Sequence, residues 1–340
     1  MKKINIVTGA AGFLGNNLAR LLTAEEEGEV RCLLLPGESE QPLAGLPVKI
    51  YRGDVTDAAS LQPLFAETAG TDLTVYHCAA LVYIKSPDNP AVRKVNCEGA
   101  KNVAEATLAA GGRLLYVSSV HALPEKPHGE AITEVDCFDP EAVVGLYAKT
   151  KAETANTLLR MHRERGLDVV IVHPSGIVGP NDFGRTHLTQ LITDFVSGRL
   201  TACVKGGYDF VDVRDVAQGI LLAADKGRAG ECYLLSNRRY EIRELLDYVS
   251  EAAGFKKIKT VLPLWFAKGT ARIAEFYYKV LRQPPLYTPY SLYTLEANAN
   301  FCHEKASREL GYTTRPMEET VRDTYRWLKE AGRIKEKKKK

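Results

Sequence analysis

Short apolar runs, each followed by an amphipathic stretch, recur through the first half of this 340-residue chain, and that alternation constrains the fold most. Residues 4–7, 30–35, 48–51, 74–78, 114–117 and 169–172 are runs of mostly apolar, often β-branched residues. Such runs suit strands buried on both faces of a parallel sheet. Between them, residues 13–23 carry apolar side chains at 14, 18, 21 and 22, a helical spacing. Helices are also expected over 58–67, 89–110 and 141–165. The order predicts an α/β fold with a doubly wound parallel sheet.

After Pro174 the pattern changes. Glycine, proline and aromatic residues become denser, and helices are expected over 262–281, 289–297, 303–310 and 316–331. This half reads as a smaller, mostly helical cap on the carboxyl edge of the sheet. There is no internal repeat.

The formal charge is +3, but the lysine-rich ending KEKKKK contributes +4, which leaves the body near −1. That is not the footprint of a nucleic-acid binder, and no nucleic-acid partner is expected. The tail reads as a solvated end. Seven cysteines form no CxxC pair, which fits a reducing compartment. No apolar stretch reaches the ~20 residues a membrane span needs, and the chain opens directly on a strand. The expectation is a cytoplasmic protein without stable membrane insertion.

Three glycines punctuate the first strand-to-helix turn, Thr8-Gly9-Ala10-Ala11-Gly12-Phe13-Leu14-Gly15. Gly9 permits a tight turn, Gly12 lets the backbone approach a pyrophosphate, and Gly15 lets helix and strand pack closely. The N-terminal end of the helix favours phosphate charge. Asp54, after the third strand, is placed to accept from an adenine amino group, or else to cap the next helix. His77-Cys78-Ala79-Ala80 closes the fourth strand with small residues over which a cofactor can lie. His77 itself reads as packed or backbone-bonded. At the end of the second strand, Leu34-Leu35-Pro36-Gly37-Glu38 offers neither an acid at the strand end nor an arginine for a 2′-phosphate. Arg31 lies too early, whereas Glu38 can swing back to a ribose. NAD is therefore preferred to NADP.

Tyr147 and Lys151 are four residues apart and share one helix face. Free tyrosine has a pKa of about 10, and an adjacent ammonium stabilises its phenolate. Lys149 faces elsewhere. Ser118-Ser119 ends the fifth strand, where a hydroxyl can polarise a substrate oxygen. Ser119 is the first choice and Ser118 the reserve. Metal ligation (no HExxH, no Cys/His cluster), a phosphate-binding GxxxxGK[ST] loop and a GxSxG hydrolase elbow find no support.

In order and spacing, TGAAGFLG, GDVTD, HCAA, YVSS, YAKTK and PSGIVGP resemble the extended short-chain dehydrogenase/reductase superfamily, also called the NAD-dependent epimerase/dehydratase family. The ending KASRELGY…ETVRDTYRWL fits as well. The resemblance implies a Rossmann domain over 1–175, its sheet completed by parts of 208–236, with a substrate cap from 176–207 and 237–331 and a tail from 332. It implies cofactor contacts from Gly9, Gly12, Phe13, Leu14, Gly15, Asp54, Val55, Ala79, Ala80, Tyr147, Lys151, Pro174 and Ile177. It implies catalysis by Ser119, Tyr147 and Lys151, support from Asn96 behind the site, and a strand-to-helix junction at 210–217 whose aspartates cap a helix or serve the site. A homodimer through helices 89–110 and 141–165 is implied too.

The reaction is not fixed by membership. A Tyr-Gly pair usual after the serines of nucleotide-sugar epimerases is replaced here by Val120-His121-Ala122-Leu123-Pro124. The segment with Trp265, Phe266, Phe276, Tyr277 and Tyr278 suits a greasy substrate, as a pocket wall, dimer contact or membrane-facing surface. The chain most resembles the dihydroflavonol-reductase and 3β-hydroxysteroid-dehydrogenase branch, which implies alcohol–ketone interconversion on a small, largely apolar molecule. The alternative is a nucleotide-sugar epimerase or dehydratase, with Gly179-Pro180-Asn181, Arg185 and Arg214 around a diphosphate. A third reading is a non-catalytic, cofactor-gated binding protein, which would ordinarily lack the tyrosine or lysine.

Overall fold

The computed structural model describes residues 1–25, 28–83, 89–269 and 289–334. The expected parallel strands are β1 (Lys3–Thr8), β2 (Glu29–Leu34), β3 (Lys49–Arg52), β4 (Asp72–His77), β5 (Arg113–Val117) and β6 (Asp168–Pro174). With β10 (Cys232–Leu235) they form one seven-stranded sheet, ordered β10-β6-β5-β4-β1-β2-β3. Every neighbouring pair runs parallel. Chain order reverses between β1 and β4, so a crevice opens there beyond the carboxyl ends of the strands. Two apolar layers sandwich the sheet. One contains Ile4, Ile6, Val75, Leu114 and Val169, with Val103 and Leu158 from helices. The other contains Val7, Cys32, Leu115, Val170 and Tyr233, with Leu18 and Ile220. Alternate residues of each strand thus face opposite layers, which is why these runs are apolar throughout.

Helix α1 (Phe13–Ala24) follows β1 as expected. Two expectations need correction and one needs refining. Residues 58–67 are not a helix. A single 3-10 turn spans Ala58–Leu61, capped by Asp57, and then stops. Hydrogen-bonded turns rather than a regular helix carry the chain onward, and Pro63 lacks the N–H that a continuing helix would use. Residues 89–110 are helical without a gap from Pro90 to Ala109, but not regularly so: α2 (Pro90–Arg93) passes through a π-helical stretch (Lys94–Gly99) into α3 (Ala100–Ala109). Finally, α4 (Leu146–Arg165) begins five residues later than expected. Gly145 precedes it at φ 96°, outside helical geometry, and Gly166 ends it at φ 74°.

The cap region brings strands that periodicity did not reveal. After β7 (Gly176–Val178), α5 (His187–Val196), β8 (Ala202–Val204), β9 (Gly207–Asp212) and α6 (Val213–Lys226), the chain returns to the sheet with β10. Then follow β11 (Arg238–Glu241), α7 (Ile242–Ala253), β12 (Thr260–Leu262), α8 (Pro289–Glu296), α9 (Glu304–Leu310) and α10 (Met317–Glu330). Strands β11, β9 and β7 form a small sheet, and β12 pairs with β8. Phe276, Tyr277 and Tyr278 lie outside the described residues, as does the tail from 335.

Candidate active site

The glycine turn sits in the crevice between β1 and β4. Gly9 adopts φ 65°, and a Cβ there would lie 2.7 Å from the Ala79 backbone. That approach explains why small residues follow β4. A Cβ on Gly15 would lie 2.2 Å from the Gly9 carbonyl, so α1 and the turn touch only because Gly15 has no side chain. The N-terminus of α1 has no side-chain cap and no acidic residue in its first turn, so its first N–H groups and its positive end remain for an anion. Beneath the turn, His77 Nδ1 lies 2.7 Å from Thr8 Oγ1, which ties β4 to β1. Burial pushes the His77 imidazole down to about 3, with Lys151 adding in the same sense, so the ring is neutral. It is bonded through a side chain rather than the backbone.

Around this crevice the structure gathers the other expected positions. Ala79 and Ala80 follow β4, Ser118 and Ser119 follow β5, and Pro174 ends β6. Ile177, in β7, pairs with Val211. Phe13 is half-buried and Leu14 buried, both packed against the sheet layer behind the turn. Asp54 forms an Asx turn: its Oδ1 accepts from the Thr56 N–H at 2.8 Å. The cap of the following turn is Asp57, not Asp54. Val55 is buried, and a Cβ on Gly99 would lie 2.7 Å from its Cγ2, so Val55 also wedges against the π-helical stretch.

Lys151 is 2% exposed. Its Nζ donates to the Val117 carbonyl at 2.6 Å and lies 4.8 Å from the Tyr116 ring centroid and 5.9 Å from that of Tyr147. Burial pulls its pKa down to about 8, so the ammonium persists at neutral pH and is lost in mild alkali. Tyr147 is half-buried on the same face. Lys149 instead pairs with Glu141 at 2.7 Å near the surface. Ser119 Oγ accepts from the His121 N–H at 3.3 Å. Ser118 Oγ is buried with no hydrogen-bond partner among the described residues.

One expected support is in place, Asn96, and two others, His173 and Arg52, escaped sequence reasoning. Asn96, in the π-helical stretch, bonds Leu81 through both N–H (2.8 Å) and C=O (3.2 Å) and donates to Thr150 Oγ1 at 3.1 Å. It therefore fixes the loop after β4 to α4. His173 Nδ1 lies 3.0 Å from the Ser119 carbonyl. A carbonyl only accepts, so Nδ1 carries the proton. Arg52, at the end of β3, reaches the loop after β2. It donates to the carbonyls of Leu35 (3.0 Å) and Glu38 (2.7 Å) and pairs with Glu40. The linear sequence showed no arginine there because parallel pairing brings Arg52 beside Leu34. Arg31, by contrast, is buried on Glu29, Leu64 and Ala66.

Of the residues named for a diphosphate, Arg214 is held by Asp212 and Asp323 at 2.7 and 2.8 Å. Asn181 is bonded to Asn17, and Arg185 is exposed. Asp212 caps α6, and Asp215 pairs with Arg315 at 2.7 Å. Both aspartates of the junction that were in question are thus structural.

Residues 5–240 match the NAD dependent epimerase/dehydratase family. The chain belongs to that family. NAD(P) is its cofactor, and the uncapped helix end, the glycine cradle and the unpartnered Ser118 hydroxyl fit such a group. The chain is 32% identical to sterol demethylase protein B of Methylococcus capsulatus, over 97% of this chain and 99% of the relative. It is 26% identical to 3beta-hydroxysteroid-dehydrogenase/decarboxylase isoform 1 of Arabidopsis thaliana, over 94% and 78%. The crystal structure of gox2253 superposes with a TM-score of 0.82 at 33% identity, over 98% of this family member and 99% of that chain. Among the described residues, no helix is long and apolar enough to cross a membrane, and no cluster of potential metal ligands occurs.

Proposed function

We propose that this protein is an NAD(P)-dependent oxidoreductase that interconverts a secondary alcohol and a ketone on a small, largely apolar substrate. One observation carries the reading. A small pocket lined mainly by apolar side chains (Val120, Leu123, Ile132, Val143, Val144 and Phe301), with Glu125, Thr294 and Asn298 among its walls, takes in His121, whose ring lies edge-on to Tyr147 with centroids 6.4 Å apart. An apolar molecule there would present its oxygen toward Tyr147 and Ser119.

The bound cofactor would supply or accept a hydride. It would be held by Gly9, Gly12, Phe13, Leu14 and Gly15 at the phosphates. Asp54, Val55, Ala79, Ala80, Pro174 and Ile177 would line the rest of its bed. Tyr147 exchanges a proton with the substrate oxygen. The buried Lys151 ammonium stabilises the phenolate form of Tyr147 and can bond the nicotinamide ribose. Ser119 Oγ donates a hydrogen bond to the substrate oxygen. Its backbone carbonyl is held from behind by His173, and its Oγ accepts from the His121 N–H at 3.3 Å, so the hydroxyl is placed in advance of binding.

Arg214 weighs against a diphosphate-binding cap, because Asp212 and Asp323 already neutralise it. A panel of secondary alcohols and ketones tests the reading. Substrate conversion should match the change at the reduced-cofactor absorbance band mole for mole. Reaction of nucleotide sugars alone, without net cofactor turnover, would establish the epimerase or dehydratase alternative instead. The same reading takes the functional unit as a homodimer joined through α3 and α4.

A further inference from the structure

A buried acid that the mechanism above does not use fastens one side of the crevice. Strand β6 is the neighbour of β5 in the sheet, and His173, one residue before the end of β6, bonds the Ser119 carbonyl. The segment Pro174–Ile177 therefore stands on the reactive side, next to Ser119, whereas the glycine turn stands on the phosphate side, at β1. The segment leaves the main sheet here, and Gly176 and Ile177 pair with Phe210 and Val211 of β9. A Cβ on Gly176 would lie 2.8 Å from the Asp209 carbonyl, so β9 approaches the segment closely.

Asp209 is 0% exposed. Its Oδ1 accepts from Ser175 Oγ and from the Asn237 N–H, the latter at 3.0 Å. The Ser175 N–H donates to the Leu235 carbonyl at 3.2 Å. One carboxylate oxygen thus joins the end of β6, strand β9 and the turn between β10 and β11. The other oxygen, Oδ2, is buried with no hydrogen-bond partner among the described residues. Burial pushes the carboxyl up to about 6, against the lowering by its two bonds. A buried acid with half of its acceptors unused costs stability, so packing alone does not account for it. Tyr208 and Phe210 alternate with Asp209 along β9, and Tyr208 lines the pocket that takes in His121. Asp209 therefore faces away from the substrate and acts from behind.

We propose that Asp209 is a positioning residue: through Ser175 it pins Pro174–Ile177 in place to receive the nicotinamide end of the cofactor. This rests on the oxidoreductase reading of the crevice.

Two probes separate the ends of the cofactor. NADH, followed by its fluorescence, reports the whole site. ADP-ribose, followed by calorimetry, carries the adenine and phosphates without the nicotinamide. Asp209→Ala should weaken NADH at least ~10-fold, the order of one lost hydrogen bond to a charged group, and change ADP-ribose by less than about twofold. Ser175→Ala removes only a hydroxyl and should do the same. Asp209→Asn keeps the accepting oxygen and should restore NADH to within about threefold. The double alanine variant should be no weaker than the weaker single variant, because both act through one bond. Unchanged NADH binding in Ser175→Ala would overturn the proposal. So would equal weakening of both probes, which marks a general loosening of the fold, or an asparagine variant no better than alanine. If the unaltered protein binds ADP-ribose and the alanine variants spare NADH, the positioning role fails alone. If the unaltered protein binds neither probe, the reading of the crevice fails with it.

Discussion

At the scale of single residues, the most consequential choice is the burial of a charged lysine. Lys151 keeps one bond to the Val117 carbonyl and one aromatic face, from Tyr116, and burial brings its pKa to about 8 from 10.5. The unfolded chain therefore binds this proton more tightly than the folded one between pH 8 and 10.5. Stability contributed by Lys151 rises across that window and is lowest below it. Comparing thermal midpoints of wild type and Lys151→Met as a function of pH checks this. The difference should move in favour of wild type between pH 8 and 10.5 and stay flat from 6 to 7.5. A difference independent of pH would mean that the ammonium is not buried as described. Tyr147 and Lys151 were legible in the sequence because one helical turn separates them. The Val117 carbonyl and the His173 support of Ser119 were not, since no local spacing reveals a contact between β6 and the turn after β5.

At the scale of elements, apolar runs named all the first six strands, because a strand covered on both faces needs an unbroken apolar sequence. Helix starts were less legible. Gly145 sets where α4 begins, Pro63 lacks the N–H that a continuing helix would use, and the amphipathic pattern runs past both. The coenzyme pocket shows the same limit. Arg52 reaches the loop after β2 only through the β2–β3 register. Its charge is committed to Glu40, and its N–H groups to two carbonyls. Glu38 accepts from the Leu35 N–H at 2.9 Å in that loop. With Arg52 engaged by Glu40 and two carbonyls, its charge is not open to a 2′-phosphate. NAD should bind more tightly than NADP. Glu40→Ala should free Arg52 and shift the NADP-to-NAD affinity ratio toward NADP by about 5-fold or more, of the order of one surface ion pair. Equilibrium titration of both cofactors gives the ratio, and an unchanged value would exclude Arg52 from coenzyme choice.

At the scale of the whole molecule, the doubly wound parallel sheet was expected from the alternation, whereas its reversal between β1 and β4 is visible only in the strand order. The cap was read as helical, and its small sheets went unseen because β7, β8 and β12 are three residues each, too short to show a period. Trp265 is 73% exposed, and neither it nor Phe266 lines the pocket beside Tyr147. Helices α3 and α4 lie side by side, joined by the Arg165–Glu105 ion pair, and on the proposed dimer reading they would meet a second copy. Light scattering during size exclusion should give about twice the 37.5 kDa of one chain, and charge reversal at Lys101 and Arg160, both exposed, should lower that mass. A single-chain mass at all concentrations would remove the dimer.

The central claim is that Tyr147 moves the proton while a hydride passes between substrate and nicotinamide. Its most direct test is single-turnover reduction of a ketone from the panel by the enzyme–NADH complex, compared between wild type and Tyr147→Phe. The account predicts a rate lower by about 10²–10⁴-fold, the usual contribution of a positioned acid–base group, with a far smaller change in cofactor affinity. An undiminished rate in the phenylalanine variant would contradict it.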